Sequence, residues 1–70
     1  MKPTFEQVYA IVRRNGAVRR PATDAQCRYY ASLVVKTGAR FEVGQYAADQ
    51  WTSRTAWQMS QMITSLEKNL

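Results

Sequence analysis

The chain has 70 residues, 46% of them hydrophobic and 21% charged, which fits one small globular domain and excludes a disordered tail. A single cysteine, Cys27, and the absence of histidine exclude an internal disulfide and a tetrahedral zinc site of the usual kind. Ten Lys and Arg against five Asp and Glu leave a formal charge of +5, which points toward polyanions or acidic protein surfaces.

The first predicted element begins at Thr4. Thr4-Phe5-Glu6-Gln7 is a capping box, in which Thr4 accepts from the amide of Gln7 and the Gln7 side chain returns to the amide of Thr4. Phe5, Val8, Tyr9 and Val12 then recur at helical spacing, with Ile11 beside them. Arg13 and Arg14 close the segment where a helix dipole favours cations, and Asn15-Gly16 provides a stop. The expected helix covers 4–15. A connection over 16–22 follows, and Pro21 prevents the helix from continuing through it.

Thr23-Asp24-Ala25-Gln26 repeats the capping box, and the expected second helix covers 24–37. Cys27, Tyr30, Ala31 and Val34 mark one face; Gln26, Tyr29 and Leu33 mark an adjoining one. Asp24 and Arg28, four apart, are placed to pair, and Gly38 suits a left-handed cap. Residues 39–51 are ambiguous. Arg40-Phe41-Glu42-Val43 alternates as a strand does, but it has no partner strand, and a short helix over 43–50 with Tyr46 and Ala47 is preferred. Thr52 or Ser53 then caps a last helix running to about Lys68, with Trp51 as a hydrophobic staple. Its apolar stripe is Ala56, Met59, Ile63 and Leu66, flanked by Met62. The fold class is therefore all-α: a compact three-helix domain with a short additional helix or extended segment around 41–50.

Two patterns in these helices resemble a known pairing. Thr23-x-x-Gln26-x-x-Tyr29-Tyr30-x-x-Leu33 and Thr55-x-x-x-Met59-Ser60-x-Met62-Ile63-x-x-Leu66 are similar to paired helices of small phage, prophage and actinobacterial proteins of unknown function. The order of a helix, Gly16-Ala17-Val18-Arg19, a second helix and a final helix is also loosely similar to the C-terminal half of GemA, a regulatory protein of Mu-like phages. Met59 departs from the alanine usual in that pattern, and the segment with Phe41, Tyr46 and Trp51 does not match it. The resemblance implies a helical accessory protein of phage or mobile-element origin, working in the bacterial cytoplasm. It brings no catalytic residue, because the matching positions are caps and core.

The residues themselves argue against an enzyme. The five carboxylates are scattered singly, and Cys27 has no histidine to activate it, so it reads as a small apolar residue on the inner face of the second helix. No cofactor or metal is expected. Basic residues are concentrated in one half. Residues 1–40 carry eight of them against Glu6 and Asp24, a net +6; residues 41–70 carry Arg54 and Lys68 against three carboxylates, a net −1. Arg13, Arg14, Arg19 and Arg20 fall within eight residues, and Lys36 and Arg40 are expected to extend the patch they form. Arginine forks suit phosphate oxygens, so the expected partner is nucleic acid, DNA first, bound through its backbone.

A helix-turn-helix over 44–66, reading bases with Ser53, Arg54, Thr55 and Gln58, is disfavoured by the −1 charge of that half and the missing turn glycine. Phe5, Tyr9, Tyr30 and Trp57 are expected at the core or its edge. Tyr29, Tyr46 and Trp57 are candidates for base stacking or for anchoring a protein partner. An inhibitor or adaptor docking on an acidic protein surface is the second reading, and a homodimer covering leftover apolar surface the third. No stretch approaches the roughly 20 apolar residues of a membrane span, nor does the N-terminus read as a signal peptide.

Overall fold

Three threonines start three helices. The computed structural model describes residues 2–14, 19–41 and 55–70, and these contain α1 (Phe5–Val12), α2 (Asp24–Thr37) and α3 (Ala56–Glu67). Thr4, Thr23 and Thr55 are extended at the N-cap of each. Their hydroxyls accept from the amides of Gln7, Gln26 and Gln58 at 3.1–3.2 Å. Each glutamine carbonyl in turn accepts the threonine N–H at 2.9–3.0 Å. One local device thus satisfies two otherwise orphaned donors at every helix start.

The all-α class holds among the described residues, and α2 has the expected bounds. Gly38 ends α2 at φ +71°, in the left-handed region. The other two helices differ from expectation. Helix α1 ends at Val12 and not at residue 15. Arg14 N–H reaches back only to Ile11, so the ladder tightens there, and the Val12 carbonyl accepts from the Cys27 thiol of α2 at 3.5 Å. Arg13 is therefore the C-cap, just past the last turn. Helix α3 is capped by Thr55, not by Thr52 or Ser53, because Thr55 is the threonine with glutamine three residues on. Asn15-Gly16, the expected short element over 43–50, Tyr46 and the Trp51 staple lie outside the described residues.

Helix α2 is the middle element, packing against both α1 and α3. Tyr9 and Val12 of α1 meet Asp24 and Cys27 near the start of α2, while Lys2 and Pro3 share a shallow cleft with Val34, Val35, Gly38 and Ala39 near its end. Helices α1 and α2 thus run antiparallel. Helix α3 crosses α2 steeply instead. Gln26 donates to the Ala56 carbonyl at 3.1 Å and Tyr29 donates to Glu67 at 2.6 Å, so positions one turn apart on α2 reach opposite ends of α3, about 16 Å apart at 1.5 Å per residue.

This placement explains why α2 buries a wide stripe. Cys27, Tyr30, Ala31, Leu33 and Val34 are all buried, joined by Val8, Ile11 and Val12 from α1, Met59 and Ile63 from α3, and Ala22 and Phe41. Phe5, Tyr9, Met62 and Leu66 pack half-buried around them. Trp57 departs from expectation: it is 70% exposed and no part of the core. It precedes Met59 by two residues, which turns it about 200° away from the buried stripe.

Candidate functional site

The start of α2 is where three helix ends meet. The end of α1 reaches it through the contact of Val12 with Cys27. The start of α3 reaches it through Gln26, through a bridge pairing Pro21 with Thr55, and through the Ala56 N–H donating to the Arg20 carbonyl at 2.9 Å. The connection carrying Arg19 and Arg20 is thereby pinned between the N-termini of α2 and α3.

Four of the six expected basic residues belong to this corner. Arg13 and Arg14 follow α1, and Arg19 and Arg20 precede α2; all four are exposed. Arg19 and Arg20 make no ion pair among the described residues. Lys36 and Arg40 are not part of it. Lys36 is in the last turn of α2, about 18 Å from Asp24 along the helix, and Arg40 follows Gly38. The antiparallel course of α1 and α2 separates the two groups. Lys2 lies with Lys36 and Arg40 at that far end, beside Gly38 and Ala39.

The two ends place their charge differently. Lys36 lies at the negative pole of α2, where a cation is stabilised. The connection carrying Arg19 and Arg20 runs beside the positive poles of α2 and α3, where a cation is disfavoured and an anion is held. Arg20 also has φ +52°, the one positive value outside glycine among the described residues. Pro21 does not account for it, because a proline biases the residue before it toward extended backbone at negative φ. Left-handed backbone costs a residue with a Cβ about 1–3 kcal/mol.

Sequence reasoning missed Arg28 as a member of the corner. Its guanidinium is 5.1 Å from the centroid of the Tyr9 ring, and that of Arg13 is 5.4 Å from the same ring. Phe5 stacks on Tyr9 at 5.8 Å with 15° between planes. The Tyr9 hydroxyl donates to Asp24, whose other oxygen accepts from Arg28 Nε at 2.7 Å. The i,i+4 spacing of Asp24 and Arg28 was legible; the aromatic ring joining Arg28 to Arg13 across two helices was not. The hydrogen bond from Tyr9, then that from Arg28, holds the Asp24 carboxyl below its ordinary value. The same bond to Asp24 pushes the Tyr9 phenol up. Asp24 thus remains ionised and bonded within the corner.

Tyr29 is 44% exposed, but its hydroxyl is committed to Glu67, which pushes the phenol up. It ties α2 to α3. Gln58, a candidate base reader, is used by the Thr55 box, and the helix on which Ser53 and Arg54 were to be displayed starts only at Ala56. Burial raises the Cys27 thiol, away from the thiolate a nucleophile needs. No cluster of three or more His, Cys, Asp or Glu suited to a metal occurs among the described residues, and no described helix is long and apolar enough to cross a membrane. Neither protein-family models, curated proteins nor solved structures give a match to this chain.

Proposed function

We propose that this chain is a non-catalytic accessory protein, of phage or mobile-element type, that binds nucleic acid mainly through phosphate contacts from Arg13, Arg14, Arg19 and Arg20. The observation that carries this reading is the placement of Arg19 and Arg20. Both are exposed beside two helix N-termini, and Arg20 takes a left-handed backbone as well. Helix dipoles and backbone strain both disfavour this arrangement in the free protein. An anionic ligand reverses the electrostatic part, because phosphate is attracted by the arginines and by the helix poles together. Arg28 and Arg13 flank the group and are held by the Tyr9 ring and by Asp24.

The test is fluorescence anisotropy of labelled DNA against the purified protein at about 50 and 200 mM salt. Four phosphate contacts give a log–log salt slope near −3.6 on duplex, so affinity should fall by roughly 150-fold over that range. Absence of binding at the lower salt would overturn the reading. A second reading, an inhibitor or adaptor docking on an acidic protein surface, is favoured by the exposed indole of Trp57 beside this positive corner. It takes the lead if DNA fails to bind.

A further inference from the structure

Trp57 gives the proposed nucleic-acid site a direction. It is the second residue of α3, and the residue before it, Ala56, donates its N–H to the carbonyl of Arg20 at 2.9 Å. Side chains of a helix lean toward its N-terminus, so the indole leans toward the end where Arg20 is pinned. At 70% exposure, and without a ring contact among the described residues, this is a large aromatic face kept out of the core. Tryptophan is ordinarily well buried, and α3 had inward positions to offer, filled instead by Met59 and Ile63.

An aromatic face beside exposed arginines matches the chemistry of an unpaired nucleotide, which has a base to stack and a phosphate to hold. In a duplex the base faces are already stacked inside the helix, so the indole has nothing comparable to meet. Building on the phosphate-contact reading above, we infer that the preferred ligand is a single-stranded polynucleotide. One base stacks on Trp57 while neighbouring phosphates rest on Arg19 and Arg20.

The experiment compares oligo-dT, oligo-rU and a DNA duplex of equal length, by anisotropy, against the full chain and its Trp57→Ala and Trp57→Phe variants. Base–aromatic stacking predicts that Trp57→Ala weakens single-strand binding about 5- to 150-fold, with duplex binding changed less than about twofold and a partial recovery in Trp57→Phe. In a Trp51→Phe background Trp57 is the sole tryptophan, and its emission should be quenched by the single strands. Tighter binding of either single strand than of the duplex supports the inference, and oligo-dU beside oligo-rU, which share one base, identifies the sugar that the site accepts. Equal loss of duplex and single-strand binding in Trp57→Ala, or no loss of either, overturns the single-strand inference and leaves the phosphate reading standing. Failure of all these polymers to bind at low salt ends both. Since Trp57 contributes little to the core, the Ala variant should melt with the parent chain, which separates lost stacking from lost fold.

Discussion

The two ends of α2 both carry basic residues and both contain a left-handed backbone, yet they are built in opposite ways. At the far end, the left-handed residue is Gly38 and the last-turn cation is Lys36 at the negative pole of the helix. Each feature there is what a stable helix end requires. At the near end, the left-handed residue is Arg20 and the connection carrying the cations runs beside the positive poles of α2 and α3. Local stability accounts for the first arrangement and not for the second. Charge counted along the chain merges the two, whereas charge placed against helix polarity separates them.

The largest test of this contrast is on binding. Replacing Arg13, Arg14, Arg19 and Arg20 together by Ala should reduce DNA affinity at about 50 mM salt by 100-fold or more and flatten the salt slope toward zero. The combined Lys2→Ala, Lys36→Ala, Arg40→Ala variant should keep the slope of the parent. If the second variant loses as much as the first, the two ends do not differ in function.

Backbone substitutions come next. Gly38→Ala meets no atom within 4 Å of its new Cβ, so its cost is conformational alone. It should be about 1 kcal/mol, or a melting temperature lower by roughly 4–8 °C for a domain of this size. At Arg20 the same preference for glycine holds although the native residue is not one, and Arg20→Gly should be more stable than Arg20→Ala by about 1 kcal/mol. An equal stability of the two would remove the strain argument at the near end.

Thr23→Ala removes the cap of α2 at the near end and should cost about 1 kcal/mol in thermal unfolding. The smallest effect is acid sensitivity. The Asp24 carboxyl is lowered in the folded state by the hydrogen bonds from Tyr9 and Arg28. Its contribution is therefore present above the unfolded value, about 3.9, and lost as pH falls through the lower folded value. Melting curves between about pH 2 and 6 should show a gentler decline below pH 4 for Asp24→Asn than for the parent chain, with the parent the more stable by a constant margin at the upper end of that range.

The sequence was most legible where the controlling interactions are local. The Thr23 box and Gly38 set the bounds of α2 from within a few residues, and both ends are found where expected. Helix α1 is shorter than expected because its ladder tightens at Arg14, whose N–H bonds Ile11, a backbone change that the residue types there do not announce. The α3 cap was legible but misjudged, since Thr55-x-x-Gln58 repeats the spacing of the two earlier boxes. For the site, residue type and exposure of the arginines could be anticipated, but their division into two groups depends on α1 and α2 running antiparallel. The role of Tyr9 as the ring shared by Arg13 and Arg28 likewise requires the two helices to be docked. Trp57 was misplaced because its size argues for the core, whereas the position of Met59 turns it outward.

All three capping boxes close with glutamine, where such boxes often have glutamate. An amide completes the same reciprocal bonds without adding a negative charge or a titrating group. At α3, which has no acidic residue in its first turn, the box fastens the helix start without weakening the positive field that the peptide dipoles project, whereas at α2 the ionised Asp24 offsets part of that field. Acidification leaves these fastenings unchanged, and so does the approach of a polyanion, which a carboxylate in the same place would repel.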